Sequence, residues 1–477
     1  MIDLVIEGGT ILTMDGKRRV IHDGGIAIEK GTILEVGTKK DISTKYKAKQ
    51  VLDAEKHAVL PGLIDTHGHS GHSMMKTIGE TVPGWGNMIE GVYLRGVKEE
   101  FWYIDSVIAS LERLKFGVTT GATFLGGGRG AYRTDDPKFA ELHMDGAREV
   151  GIREILGLGP VGRAPYTPRE YHDLDGDVKK VTTVDFDGMM KTTRKLVDKY
   201  DDFNSLLTAK MTVSSISPNL DDLSAEDQAT VRRQAKEIRA VADESGRGIM
   251  AHGGGGTIKS AKELGLMGPD VMLIHCGGLT EEDINIFAKT NTNVSHCPRA
   301  RAIMRRRCPV PELLDAGVNV ALGTDGSAPD RTFDTFADMR TAQTIHRHFF
   351  HDSSYMPPGK VLGMATIDAA RALGVEKEIG SLEVGKRADV ILVNLNKAHL
   401  TPRFMIPQRI VYEAYGHDVE TAIIDGKIVM EKRVVKTINE DKALDHAQRV
   451  AEEVVEYNDL EKYMQIPDGF WFNSKYG

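Results

Sequence analysis

Cysteine is scarce: the 477 residues hold three, Cys276, Cys297 and Cys308. So few, in an odd number, exclude a disulfide framework and fit a reducing compartment. No run of about 18 apolar residues is present, so no membrane-spanning helix is expected. The first residues, MIDLVIEGGTILTMDGKRRV, show no charged leader followed by an apolar segment, so no secretory signal is expected either. Together these absences predict a cytoplasmic protein. Charge of one sign is also lacking: 61 basic against 69 acidic side chains leave a net −8, which favours solubility and argues against nucleic acid as a partner. What is present, 41% hydrophobic and 27% charged residues, is ordinary for a globular chain with a sizeable core. The length suits one large α/β domain of about 250–350 residues plus a smaller one.

Residues 1–60 alternate short β-rich runs with Gly, Asp and Lys turns, the pattern of small antiparallel sheets. Residues 376–440 do so again, in segments such as Ala388-Asp-Val-Ile-Leu-Val. Between them, 61–375 alternates helical stretches with short apolar strands, as in 225–245 before Ile249-Met-Ala-His252. Repeated βα units imply a parallel sheet with helices outside. The expected fold is a (β/α)8 TIM barrel with a small composite β-sandwich domain built from both termini. Residues 441–477 add an amphipathic helix, with Ala443, Ala447, Val450, Ala451 and Val454 at helical spacing. An aromatic tail follows, Phe470–Phe472, that packs on this chain or on a neighbouring subunit.

The chemistry concentrates at strand ends. PGLIDTHGHSGH (61–72) runs an apolar strand into His67 and His69, whose i, i+2 spacing points both rings to one side. His252, His275 and Asp325 each close a further apolar run. A divalent hydrolytic ion wants His nitrogens and carboxylate oxygen with one position open to water. His67, His69, His252 and Asp325 meet that count, and His275 adds a polar group beside the water. Asp325 also has an oxygen free to take a proton from that water and pass it on. Zinc is the first expectation, with iron, manganese and cobalt able to use the same donors.

The chain resembles the amidohydrolase superfamily, and within it the branch holding triazine hydrolases, chlorohydrolases and methylthioadenosine/S-adenosylhomocysteine deaminases. The segments that carry the resemblance are PGLIDTHGH (61–69), LIHCGGLTEEDI (273–284), VSHCPRARA (294–302), PELLDAGVNVALGTDG (311–326), MATIDAARALG (364–374) and IGSLEVGKRADVILVNL (379–395). The resemblance implies one divalent metal per subunit on His67, His69, His252 and Asp325, with His275 orienting water or polarising substrate. It also implies a pocket-facing His296 and assembly as a homodimer or homotetramer.

Three departures matter. Deaminases of this branch carry Glu three residues after the third His, to shuttle a proton to a ring nitrogen. Here the run is His252-Gly253-Gly254-Gly255-Gly256, and glycine cannot transfer a proton. Secondly, His72 follows the HxH pair by three residues and offers acid–base chemistry near neutrality. It can also be read as packing its loop. Thirdly, Lys210 shares a strand face with Thr208 and Thr212, and a lysine inside a barrel is costly unless paired or modified. Prolidase-like branches of the superfamily use a carboxylated strand lysine to bridge two metals. Lys210 in that role would make two ions per subunit; otherwise it reaches solvent or an acidic neighbour.

Arg299 and Arg301 stand where guanidinium groups suit a substrate carboxylate, and Arg305–Arg307 form a solvated basic face. Trp85, Tyr93, Trp102 and Phe124 are candidate pocket walls, each equally explained by core packing. Asp330 serves as a substrate contact or a loop cap. The functional expectation is a metal-dependent hydrolase that cleaves a C–N or similar bond of a small nitrogen heterocycle or amide, the substrate being its small-molecule partner. The alternatives are a binuclear prolidase-like amide hydrolase using Lys210, and a non-catalytic barrel.

Overall fold

The computed structural model describes residues 1–474 apart from 81, 128–132, 176–177 and 304–305. Eight strands form one parallel sheet in chain order: Leu63–His69, Val118–Phe124, Arg153–Leu158, Leu207–Val213, Ile249–Gly254, Val271–Gly277, Asn293–His296 and Val320–Leu322. The first and last come together through Thr66 Oγ1 on the Leu322 carbonyl (2.8 Å) and the Asp325 N–H on the His67 carbonyl (2.9 Å), which bends the sheet into a barrel. Helices alternate with the strands and cover the outside. The helix Ala225–Ser245 shows why they form: Ser224 caps the Asp227 N–H, Glu226 and Asp227 sit in the first turn, and Gly246 ends it at φ 66°. Its buried Val231, Ala235, Ile238 and Ala242 recur at helical spacing and face the strands.

The first four barrel strands are buried along their whole length, because side chains of one face fill the barrel and those of the other meet helices. Inside, Ile64, Phe124, Ile155, Met250 and Met272 pack with Ala369, Ala370 and Leu373. The helix Ile367–Leu373 closes the end of the barrel where the strands begin, and Ile64 N–H there bonds the Ala365 carbonyl (2.9 Å). The opposite end stays open.

The two chain ends share a second, nine-stranded sheet. Its join is Val390–Asn394, antiparallel to His57–Pro61 on one side and to Val419–Ile424 on the other. Leu4, Ile6, Ile26, Ile28, Val390 and Leu392 form its core. His57–Pro61 leads directly into the first barrel strand, so this sheet anchors the start of the HxH strand. A buried ion pair, Arg153 Nε to Asp389 Oδ2 at 3.0 Å, ties it to the barrel. The helix Glu440–Tyr457 lies against Glu99–Lys115, burying Ala447, Val450 and Val454 and pairing Arg449 and His446 with Glu100. Beyond it Trp471 and Phe472 are exposed. No helix among the described residues is long and apolar enough to cross a membrane. All three cysteines are buried and unpaired.

Candidate metal centre

The first barrel strand is held in place by Asp65, two residues before His67. Its carboxylate accepts Arg113 Nε (3.1 Å) and Nη2 (2.9 Å), and also the N–H and hydroxyl of Thr324 (both 2.9 Å). One buried carboxylate therefore registers the His67 strand against the turn that carries Asp325. Between the two histidines only glycine fits, since a Cβ on Gly68 would collide with the Arg113 guanidinium. Asp325 and His275 adopt left-handed backbone, φ 67° and 70°, a conformation side chains rarely take and one that concentrates at functional sites.

Five side chains converge at the open end. His67 Nε2 and His252 Nε2 are 3.2 Å apart. Asp325 Oδ1 lies 3.3 Å from His69 Nε2 and 3.5 Å from His67 Nε2, and Oδ2 is 3.8 Å from His275 Nε2. The other ring nitrogens of two of these histidines meet carbonyls: His69 Nδ1 at Gly126 (3.0 Å) and His252 Nδ1 at Ser214 (2.7 Å). A carbonyl accepts only, so each Nδ1 carries the proton and each Nε2 offers a bare lone pair.

Burial holds His67 below the usual imidazole range, lowers His252 well below it and pushes His275 down to about 3. Neutral imidazole is the form that ligates metal. Burial alone would raise the Asp325 carboxyl, yet the neighbouring Arg331 guanidinium helps hold it well below the carboxylate range. Lone pairs converging on one carboxylate repel unless a cation lies among them. With bonds of about 2.0–2.1 Å, tetrahedral donors sit roughly 3.3 Å apart, close to the spacings here. The residues fit a divalent ion.

The centre forms the floor of a cavity of about 1100 Å³. His72 lines it, stacked on His69 with ring centroids 5.1 Å apart and edged by Trp85 at 5.3 Å. Its Nδ1 is 3.1 Å from the buried Tyr93 hydroxyl. A Cβ on Gly127 or Gly326 would strike the His72 ring, so both glycines make its slot. Trp85 is fixed by Nε1 on the Ile78 carbonyl (2.9 Å). The glycine run 253–256 forms another wall. A Cβ on Gly255 would fall on the Gly278 carbonyl oxygen, and the Gly255 N–H bonds the Gly277 carbonyl (3.1 Å). Two glycine-rich loops thus lie backbone to backbone, leaving no room for a side chain at 255.

Other candidates lie elsewhere. Lys210 is buried within the barrel with Nζ 3.5 Å from the Leu373 carbonyl, on the helix that closes the far end. Ser214, which meets His252, lies four residues further up, about 13 Å along an extended chain. This corrects the alternative reading of Lys210 as a carboxylated bridge between two ions: alternation turns it inward but on the wrong half of the strand. Arg299 is likewise corrected as a substrate contact, because it is spent on the buried Asp338 (2.6 Å) and on Thr332.

Arg301 and His296 do not line the cavity either. Arg301 lies against Gly277 behind His275, and buried His296 neighbours His346 at a ring-centroid distance of 5.4 Å. Arg305 falls outside the described residues; Arg307 pairs with Glu312. Phe124 packs under the centre, 4.8 Å from the His67 ring, while Trp102 belongs to the core beneath Tyr93. Asp330 lines the cavity and pairs with Arg331.

Arg331 escaped the sequence reading. Its Nη2 is 3.7 Å from Asp325 Oδ2, with Nε on the Gly326 carbonyl (3.1 Å). Nothing in the spacing TDGSAPDR marks it. Asp65 carried a signal that went unused: it is a carboxylate two residues from His67, on the same strand face.

The amidohydrolase family matches residues 58–429. The chain belongs to that family. It is 30% identical over 467 residues to a 5'-deoxyadenosine deaminase of Methanosarcina mazei, covering 95% of this chain and 99% of the relative. It is 31% identical over 448 residues to a 5-methylthioadenosine/S-adenosylhomocysteine deaminase of Moorella thermoacetica, covering 91% and 96%. Among solved structures, an adenosine deaminase from Xanthomonas campestris with bound zinc superposes with TM-score 0.81 at 22% identity, over 95% and 99% of the two chains. The zinc complex of an Arthrobacter aurescens atrazine chlorohydrolase does so with TM-score 0.77 at 20%, over 94% and 100%. At those identities the two superpositions establish the barrel-plus-sheet fold.

Proposed function

We propose that this amidohydrolase is a metal-dependent enzyme that uses water to cleave a C–N bond of a small nitrogen heterocycle or amide. The observation that carries the reading is the meeting of unprotonated His69 and His252 nitrogens with His67 and ionised Asp325 at the floor of one cavity. One ion per subunit on these four residues is the reading the distances favour, with zinc supported by the two zinc-containing structural neighbours. When bound, such an ion supplies Lewis acidity that brings a water's pKa toward neutrality. The placement of Lys210 removes the support for a second, bridged ion.

The chain's own groups then divide the proton work. Asp325 Oδ2 faces His275 and accepts the proton of the attacking water, while His275 orients that water. Arg331 keeps Asp325 ionised and fixed. His72 delivers its Nε2 proton to the departing nitrogen and is reprotonated by Asp325, which carries the proton taken from water. The buried Tyr93 hydroxyl has no other acceptor among the described residues, so it donates to His72 Nδ1 and leaves the proton on Nε2. Trp85 stands edge-on to this imidazole and walls off water.

The packing at Gly255 excludes a side-chain acid at that position, which argues against ring-nitrogen protonation of adenosine-type and guanine-type substrates by the route the resemblance implies. Metal-replete enzyme should therefore be screened against amides, ureas and amino-heterocycles, with and without a carboxylate. The expected result is ammonia or amine release from one of these classes and weak or absent turnover of adenosine and guanine. Rapid adenosine deamination would overturn the assignment of substrate class.

Three buried, unpaired cysteines support a cytoplasmic setting. Exposed Trp471 and Phe472 support assembly as a homodimer or homotetramer. As functional units we take 61–375 as the catalytic barrel, 1–60 plus 376–440 as the composite sheet domain, and 441–477 as the C-terminal helix and tail.

A further inference from the structure

Outside the catalytic cavity, a second set of ligating side chains meets where the composite sheet approaches the barrel helices. His399 lies in the short turn Ala398–Leu400, and His417 and Asp418 lie in Gly416–Asp418, just before the strand Val419–Ile424. One nitrogen from each histidine and one oxygen of Asp418 all fall within 4.8 Å of one another. His399 Nε2 is 2.9 Å from Asp418 Oδ2, and His417 Nε2 is 3.7 Å from Oδ1. None of the three lines the catalytic cavity.

The Asp418 carboxylate is fully buried. Its Oδ2 accepts the Tyr415 N–H (2.9 Å), but Oδ1 has no hydrogen-bond partner although it is shielded from solvent. A buried carboxylate oxygen without a hydrogen-bond partner is a place for a bound water or ion. No lysine or arginine forms an ion pair with Asp418 among the described residues; the side-chain nitrogens beside its oxygens are those of the two imidazoles. Arg433, within electrostatic reach, spends Nη1 on the Gly416 and Val419 carbonyls.

The imidazoles are also pre-set. His417 stacks on Tyr415 at 5.3 Å and 13°, and His399 stands edge-on to the same ring at 5.7 Å. The Arg340 guanidinium covers that ring at 4.4 Å.

We propose that His399, His417 and Asp418 form a second, surface metal site for a borderline divalent cation of the Zn²⁺ class. Two imidazole nitrogens and one carboxylate oxygen are the donors such ions prefer. A separation of 3.7 Å between Oδ1 and Nε2 suits two bonds of about 2.0–2.2 Å to one centre. The histidines' exposure leaves the remaining positions to water.

The site's place in the chain gives its role. Residues 399 and 417 bracket the connection between the neighbouring strands Val390–Asn394 and Val419–Ile424. That connection carries the helix Ile406–Tyr412, which packs on Thr335–Phe350 and Pro358–Met364 of the barrel. An ion there closes the connection at its base and clasps the sheet domain to the barrel; it takes no part in turnover.

The test uses enzyme already loaded with its catalytic metal. Wild type and His399→Ala/His417→Ala are dialysed to equilibrium against micromolar Zn²⁺, and zinc per chain is counted by mass spectrometry. Wild type should hold one more zinc than the variant, turnover should be equal, and added Zn²⁺ should raise the Tm of wild type alone. His417→Gln, which keeps one imidazole, should bind the extra zinc at least about tenfold more weakly. Equal zinc content in wild type and double variant, at whatever number, overturns the proposal, as does an extra zinc that leaves the wild-type Tm unmoved.

Discussion

At the scale of single residues, some groups hold the ion and others move protons. Asp325 belongs to both sets and His72 only to the second, so their variants should fail differently. Asp325→Asn should abolish measurable turnover and weaken metal retention while circular dichroism stays native. His72→Ala should keep its catalytic metal yet lower kcat by about 10²–10⁴, the range of a lost general acid. Turnover undiminished in His72→Ala would remove that residue from the mechanism. Gly255 supplies the opposite kind of test. Its missing side chain is a packing requirement set by the Gly278 carbonyl, so Gly255→Glu should not create adenosine deamination. It should instead destabilise the fold by about 1–3 kcal/mol, the cost of overpacking, read as a lowered midpoint in urea.

At the scale of the elements, strand alternation was legible where it mattered most. His67 and His69 were placed by a period of two, and the ends of the apolar runs located His252, His275 and Asp325. The composite sheet followed from β-rich stretches at both ends of the chain. Alternation could not say at which height of the barrel an inward side chain sits, which is why Lys210 stayed open between a bridging ligand and a structural lysine. Nor could it reveal partners far apart in sequence: Asp65 with Arg113 and Thr324, or Arg331 with Asp325. Arg299 was misread because its pairing with Asp338 depends on how a short helix is rotated.

Lys210 yields a pH prediction. Burial pushes its amine down to about 8, against 10.5 for the free group. Below pH 8 the lysine is charged both folded and unfolded, and the penalty for burying that charge is present in full. As pH rises from 8 toward 10.5 the unfolded chain binds more protons, so stability rises. Lys210→Met should therefore stabilise the fold at pH 7, by up to about 3 kcal/mol. It should also flatten the wild-type gain between pH 7 and 9.5, measured by urea unfolding. A variant less stable at pH 7 would show that the amine is compensated by contacts beyond the Leu373 carbonyl.

At the scale of the whole molecule, the barrel sets the strand ends around one point. The composite sheet feeds the first strand into it, and Asp65 locks the first strand to the last turn. The chemistry depends on an ion at that point. Crystals of metal-replete enzyme, with anomalous diffraction recorded on both sides of the zinc edge, test this most directly. A strong peak is expected about 2.0–2.3 Å from His67, His69 and His252 Nε2 and from an Asp325 oxygen, with none beside Lys210. A map with no peak among these four residues, or with two peaks bridged by a carboxylated Lys210, would contradict it.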